Sequence, residues 1–204
     1  MKKLLLAVAL LTSPFAFAST WEIDSAHAAA NFSVRHMMIS NVQGTLGKVT
    51  GKVMLDDADV TRSAVEASID VKGINTREPK RDDHLRSKDF FDVEKFPAIT
   101  FKSTKIEKAG DKLKVTGDLT IHGVTKPVTL DAVVTNEVKN PFTKAVTRGV
   151  SATGKLNRKD FGLTWNVALE AGGLMVGEEV DLAIEAELVK QDGGAPAAAP
   201  AKKK

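Results

Sequence analysis

Residues 112–122 alternate strictly between two kinds of side chain, and this pattern recurs along most of the chain. One set is apolar or small, namely Leu113, Val115, Gly117, Leu119 and Ile121, and the positions between them are polar or charged. A period of two residues places the two sets on opposite faces of a β-strand. The segment therefore predicts a long strand with one buried face.

Most of the remaining strands are predicted from the same period. They cover residues 21–24, 32–36, 48–56, 65–71, 99–103, 127–134, 146–156 and 179–189. We predict a mainly β domain of about eight antiparallel strands joined by short turns. Closing such a sheet into a barrel removes its exposed edges and leaves an interior that can hold one small ligand. A β-sandwich is the competing architecture.

Residues 75–96 interrupt the alternation. Asn75 and Thr76 are good helix caps, and a charge-dense stretch follows as far as Ser87. An apolar group of Phe90, Phe91, Val93 and Phe96 comes next, before Pro97 restores an extended chain. These features predict a helical insertion that covers one end of the barrel as a lid.

The two ends of the chain differ in composition from the segment between them. Residues 1–18 combine two lysines, a short apolar run and an Ala16-Phe17-Ala18 cleavage motif, as in a signal peptide for export to the periplasm. The apolar run is too short to span a bilayer, so no stable membrane insertion is expected. The Ala/Pro/Lys-rich tail, residues 191–204, is predicted to be disordered. The folded domain is therefore expected to cover residues 19–190.

Charge and cysteine content exclude several classes of protein. The chain has no cysteine, which rules out a disulfide scaffold and a lipoprotein anchor. Lysines 2, 3 and 202–204 lie at the two ends, and without these five the 29 basic side chains no longer exceed the 26 acidic ones. The domain therefore lacks the basic footprint of a nucleic-acid-binding protein.

No catalytic or metal centre is evident from the sequence. The chain has neither a cysteine nor a Gly-x-Ser-x-Gly elbow to supply a nucleophile. Its four histidines lack the spacing of a metal site. We therefore expect no enzyme activity, cofactor or metal. Two alternatives stay open: a metal-assisted enzyme built on His36, His84 and His122, and an interaction module that docks through Arg81 and Arg86 of the lid.

Long motifs resemble those of one known family. They are Trp21–His27, Phe32–His36, the lid segment, Leu119–Val128 and Leu156–Asn166, and together with the strands between them they cover about residues 21–189. In this respect the chain is similar to the YceI-like, or UPF0312, family. Ala28 stands where a serine or threonine is expected.

The resemblance implies a lipocalin-like barrel in the periplasm. Such a barrel would enclose a polyprenyl chain or an isoprenoid quinone, with a role in lipid transport or storage and in stress responses. No catalytic reaction is firmly attached to the family. Pairing of two copies into a homodimer is a further expectation that the sequence leaves open.

An isoprenoid ligand needs an apolar wall and a few polar groups at the mouth. We assign the apolar tunnel to Phe32, Val34, Ile69, Phe90, Phe91, Phe96, Phe101, Leu119 and Ile121. The candidates for the polar head group, chosen by position and charge, are Arg35, His36, Arg81, His122 and Arg158. Arginine can pair with a phosphate through two hydrogen bonds or stack on a quinone ring.

Overall fold

A computed structural model of the protein describes residues 18–191, in which ten β-strands form one antiparallel sheet. The strands are β1 (Ser19–His36), β2 (Ser40–Thr45), β3 (Lys48–Leu55), β4 (Ala64–Asp70), β5 (Ala98–Ala109), β6 (Lys112–Ile121), β7 (Val124–Val134), β8 (Val138–Lys139), β9 (Val146–Asn157) and β10 (Val176–Lys190). Most of the predicted signal peptide and of the predicted tail lies outside the described residues.

The sheet closes on itself because β10 pairs with both β9 and β1. The two consecutive strands β2 and β3 occupy one position in the wall, each pairing with a different part of β1, and β8 is a short arm beside β9. The wall therefore has eight positions. The predicted mainly β, eight-stranded antiparallel barrel with a helical insertion is confirmed, and the sandwich is excluded.

The first part of the wall differs from the prediction. Residues 21–24 and 32–36 belong to one continuous strand of 18 residues, not to two strands. A bulge between Asp24 and Ala28 takes up the irregular Ala-rich stretch and lets pairing with β10 continue. A further strand that the alternation did not predict, β2, begins at Ser40 after a short turn.

The insertion between β4 and β5 contains one α-helix, α1 (Pro79–Arg86). The prediction that Asn75 and Thr76 cap this helix is wrong: Glu78 is the N-cap, and its side chain accepts a hydrogen bond from the backbone N–H of Lys80. Pro79 explains the shift. It fits the first helical position, where no N–H partner is needed, and it keeps the preceding residue extended.

The barrel core is apolar from one end to the other. At the end opposite the insertion, Trp21 is fully buried against Val53, Leu55 and Leu188.

Among residues 18–191, no helix has the length and apolar composition needed to cross a membrane.

Candidate functional site

An elongated cavity runs along the barrel axis, with a volume of about 180 Å³. It is lined by side chains from all eight positions of the wall. Among its described lining residues, only Asn31 and Ser63 are polar. An apolar cavity of ~150 Å³ is already large enough to stay dry and bind benzene. The interior can therefore accept an apolar guest.

The burial pattern of β10 shows where the barrel is hollow. Val180, Leu182, Ile184 and Ala186 alternate with charged or exposed residues and point inward, yet they are only half-buried. Leu188, the next inward residue on the same strand, is 1% exposed. All five residues line the cavities, but the first four keep exposed surface there, whereas Leu188 is packed on Trp21.

A second cavity of about 90 Å³ lies between the barrel and the insertion. Phe32 and Val34 of β1 form part of its barrel wall, and Leu85, Phe90 and Phe91 cover it from the insertion. It shares wall residues with the axial cavity, namely Leu46, Ile99, Ile121, Leu156 and Leu182. The two cavities therefore adjoin, and the insertion acts as a lid over the combined apolar space.

A buried polar network fixes the start of the lid. Asp82 is 7% exposed and accepts hydrogen bonds from the backbone N–H of Thr76 at 2.8 Å and from its hydroxyl at 2.5 Å. Arg81 donates to the Thr76 hydroxyl at 2.7 Å and to its carbonyl oxygen at 2.9 Å. Thr45 and Asn75 exchange backbone hydrogen bonds, so the lid is also tied to β2.

An aromatic cluster fixes the other side of the lid. The Trp165 ring lies 4.8 Å from His84 and 5.3 Å from Phe90, measured between centroids. His84 Nε2 lies 2.9 Å from the Asp89 carboxylate. Because Phe90 lines the lid cavity, Trp165 is in direct contact with a wall of that cavity.

The opposite end of the barrel is sealed. Trp21 donates its indole N–H to the Ser19 hydroxyl at 2.7 Å. The Arg148 guanidinium lies 5.2 Å from the Trp21 ring and bridges Asp57 and Glu137 at 2.9 and 3.3 Å. The apolar space therefore has one plugged end and one covered by the lid.

Eight of the nine residues assigned to the tunnel border the cavities. Ile69, Phe101 and Leu119 line the axial cavity, Phe32, Val34, Phe90 and Phe91 line the lid cavity, and Ile121 lines both. Phe96 is not among the described lining residues. It packs on the turn between β6 and β7, 4.6 Å from the His122 ring and against Gly123, where a Cβ would come within 2.5 Å of it.

Arg158 is the head-group candidate that lies deepest. It is 4% exposed, lines the lid cavity, and donates to the carbonyl oxygens of Leu163, Val176 and Gly177. Burial lowers the pKa of Arg158, and the Glu178 carboxylate opposes that shift. Its N–H groups are directed at these carbonyl oxygens, and Arg158 contributes only apolar surface to the cavity.

The other head-group candidates lie at the lid end but do not converge on one point. Arg35 is exposed and donates to Met38 and Asn41, and Arg81 is committed to Thr76. His36 ends β1, and His122 occupies the β6–β7 turn, where its φ is 51°. Their role in holding a head group stays a prediction.

The lid arginines proposed for docking hold the lid itself. Arg86 donates to Asp83 at 2.7 Å and to the Ile74 carbonyl at 3.2 Å. Together with the Arg81 contacts, these bonds mean that a charge reversal would disturb the lid as well as any docking face.

Within residues 18–191, one cluster of side chains has its potential metal-ligand atoms close together, and it lies on the outer wall. The ligand atoms of Asp24, His27 and Glu187 lie within 4.8 Å of one another, because Asp24 and Glu187 are register partners beside the β1 bulge. The hydrogen bond from His27 to Asp24 raises the pKa of His27 and lowers that of Asp24. The group is explained as a surface ion pair, and it does not include His36, His84 or His122.

The sequence assignment missed several cavity residues. Leu156, Leu163, Val180, Leu182 and Ile184 line the two cavities but were not selected. For four of them the alternation in β9 and β10 was the available signal. Leu163 follows a 3-10 turn, where alternation gives no information.

Comparison with known proteins gives one consistent family. A family model described as the YceI-like domain matches residues 21–188. The protein YceI of Salmonella newport strain SL254 is 37% identical over 188 residues, covering 91% of this chain and 95% of the relative.

Solved structures agree with the barrel fold. The Campylobacter jejuni YCEI protein is 32% identical, with a TM-score of 0.64 over 78% of this chain and 90% of the other. A polyisoprenoid binding domain from Saccharophagus degradans, implicated in plant cell wall breakdown, has a TM-score of 0.59 over 85% of this chain and 99% of the other. At 13% identity this second similarity shows the fold alone.

Proposed function

The chain belongs to the YceI-like family, and from this premise we propose that it is a periplasmic binding or carrier protein for an isoprenoid lipid. The ligand is a polyprenyl chain or the tail of an isoprenoid quinone. It lies along the barrel axis, between the Trp21 plug and the lid. The protein acts by binding the lipid and not by transforming it.

The observation that carries the proposal is the nearly complete absence of polar side chains from the described wall of the axial cavity. A polar ligand placed there would lose its hydrogen bonds to water without gaining others, at a cost of about 2–7 kcal/mol per group. An apolar chain has no such groups. Asn31 and Ser63 are too few to bind a sugar or a peptide along the length of the barrel.

The lining of the two adjoining cavities extends from Leu188 near the plugged end to Phe91 beneath the lid, which favours a long chain over a compact molecule. Larger ligands gain ~0.3 kcal/mol per heavy atom, so every ten enclosed carbons would add roughly 3 kcal/mol to binding. Cavities of about 180 and 90 Å³ are smaller than a polyprenyl chain, so the half-buried wall residues and the lid would have to move apart as the chain enters. The polyisoprenoid-binding domain of Saccharophagus degradans, with the same fold, supports an isoprenoid as the ligand class.

We place the head group beneath the lid, next to Arg158. Its guanidinium is buried and charged, and it would turn from one of its carbonyl partners to donate to a phosphate or a quinone oxygen. Contacts of a ligand with Phe32, Phe90, Phe91 and Ile121 belong to this proposal. A role in stress responses and a homodimer stay predictions.

The test is extraction of the native ligand. The full chain, with its leader, is expressed in a Gram-negative host and purified from the periplasm, and an organic extract is analysed by mass spectrometry. We expect a prenyl lipid in about stoichiometric amount. The matched control is Leu182→Trp, whose larger side chain fills the space between the two cavities. We expect this variant to be purified without bound lipid. An extract without prenyl lipid from both proteins would contradict the proposal, and so would equal amounts in both.

A further inference from the structure

An exposed apolar turn projects from the lid end of the barrel. Met37 and Met38 are each 42% exposed and Ile39 is 75% exposed. We call residues 37–39 the mouth tip. Beside it lies the loop before β10, where Val167 is 44% exposed and where the Met175 carbonyl accepts a hydrogen bond from the Met37 N–H at 2.7 Å.

The backbone of the mouth tip is strained. Met37 and Met38 have φ values of 50° and 62°, in the left-handed region. A turn of this kind favours glycine or asparagine, and side chains larger than these are disfavoured there. Methionine therefore costs stability at both positions and exposes an apolar surface. Strained residues of this kind concentrate at functional sites.

The surroundings of the mouth tip are poor in charge. Residues 36–47 contain no aspartate, glutamate, lysine or arginine, and residues 161–177 contain only Glu170. In the whole chain, by contrast, 27% of residues are charged. An ordinary solvated surface of this protein would therefore carry several charges in these two segments.

The mouth tip lies close to the lid cavity. Val34 lies three residues before Met37 and lines that cavity, and Val176 lines it directly after Met175. Only Arg35 and His36 separate Val34 from the tip, and Met175 is hydrogen-bonded to Met37, so the route from the exposed turn to the cavity wall is short. A lipid chain that passed from a bilayer to the cavity by this route would cross little water.

Arg35 supplies the matching charge. Its guanidinium donates to the Met38 carbonyl at 2.9 Å and to Asn41 at 3.3 Å, and forms no ion pair with a carboxylate of residues 18–191. Three of its five N–H donors are left over. An exposed cation at the base of an apolar tip matches the phosphate layer above the hydrocarbon of a bilayer. A second copy docked tip to tip would instead bring two Arg35 side chains together.

From these observations we propose that the mouth tip inserts into a phospholipid surface and that Arg35 contacts the lipid phosphates there. The inference rests on the proposed function, because it gives the route by which the isoprenoid enters the cavity. The contact is reversible, since three side chains bury too little apolar surface for permanent anchoring.

The experiment measures flotation of the protein with vesicles of phosphatidylethanolamine and phosphatidylglycerol. The test variant combines Met37→Asn, Met38→Asn and Ile39→Ser; asparagine tolerates the left-handed backbone, so the turn should keep its shape. The matched control is Phe142→Ser, because Phe142 is 90% exposed but lies next to the start of β9, at the opposite end of the barrel. We expect the test variant to lose vesicle affinity by about a hundredfold and the control to keep it.

A second measurement separates this inference from the proposed function. A polyprenol is offered to each delipidated protein either in detergent micelles or in the vesicles. We expect the test variant to take up the polyprenol from micelles as the wild type does, but more slowly from vesicles. Equal flotation of both proteins, or equal uptake from vesicles, would overturn the inference and leave the proposed function intact. Failure of the wild type to take up polyprenol from either source would overturn the proposed function. Loss of dimers in the test variant, without any vesicle binding by the wild type, would assign the tip to a second copy and also overturn the inference.

Discussion

The two ends of the barrel are built from the same alternating strands but are packed differently. At the plugged end, Trp21 and Leu188 are 0% and 1% exposed and fill the space between the strands. At the lid end, inward residues such as Leu182 are half-buried, and Phe90 and Phe91 cover the lid cavity. Alternation determines which face of a strand is apolar, whereas the sizes and directions of opposing side chains determine whether the interior is filled.

Because of this difference in packing, we expect the two ends of the barrel to have different roles. The plugged end is a small cluster of fully packed residues, whereas the larger core cluster lies at the lid end and surrounds the cavity there. Part of the inner wall at the lid end, including Leu182, is only half-buried and keeps an apolar surface available for a guest. Function is therefore expected to be sensitive to changes at these half-buried residues, and stability to changes at fully packed ones such as Leu188.

The largest expected difference comes from truncating one leucine at each end of the same strand. Leu188→Ala should lower the free energy of unfolding by about 3–5 kcal/mol, because a fully packed side chain leaves a cavity. Leu182→Ala should cost only about 1–2 kcal/mol, because this leucine already borders empty space. Urea unfolding followed by circular dichroism measures both values. Equal losses would show that the two ends are packed alike.

Enlarging the same two residues should give the same order of tolerance, with Leu188 again the more sensitive position. Leu188→Trp overpacks the plugged end and should destabilise the protein by about 1–3 kcal/mol. Leu182→Trp should leave the free energy of unfolding nearly unchanged, because the indole occupies the cavity, and should abolish polyprenol binding. A Leu182→Trp variant that is strongly destabilised, or that still binds polyprenol, would contradict the hollow interior.

The two tryptophans report on the two ends separately. In Trp21→Phe the fluorescence comes from Trp165, which touches Phe90 at the lid cavity. In Trp165→Phe it comes from Trp21, which is fully buried. We expect polyprenol to change the emission of Trp165 and to leave that of Trp21 nearly unchanged. A response from Trp21 alone would place the ligand at the plugged end.

The smallest effect is expected on the outer wall, away from both ends. The hydrogen bond to Asp24 raises the pKa of His27, so this pair stabilises the fold below the unfolded pKa of about 6.5. That contribution is lost as the pH rises through the higher, folded pKa. Titration of His27 by NMR should show the raised pKa, and Asp24→Asn should lower it. Ligand binding should not change, and a change would connect this surface pair to the cavity.

The sequence contained enough information to predict the barrel. Alternation in β6, β9 and β10 predicts their inward faces, and short turns between strands predict antiparallel pairing. The continuity of β1 was not predictable in this way, because the Ala-rich stretch before Ala30 does not alternate and the bulge that accommodates it depends on pairing with β10.

The site was less predictable than the fold. Leu182 and Leu188 occupy equivalent positions in the same pattern and both line the axial cavity, so only the packed structure shows that Leu188 is buried against Trp21 and that Leu182 is half-buried. Arg158 was selected for its charge, but its burial depends on carbonyl groups near the start of β10, 18 and 19 residues away in the chain. Glu187 meets Asp24 and His27 only through strand register.

The most direct test of the hollow barrel is a crystal structure of the protein bound to a polyprenyl lipid. We predict continuous ligand density from beneath Phe90 and Phe91, past Leu182, towards Trp21, with the head group next to Arg158. Ligand density confined to the outer surface, with side chains filling the axis of the barrel, would contradict the account.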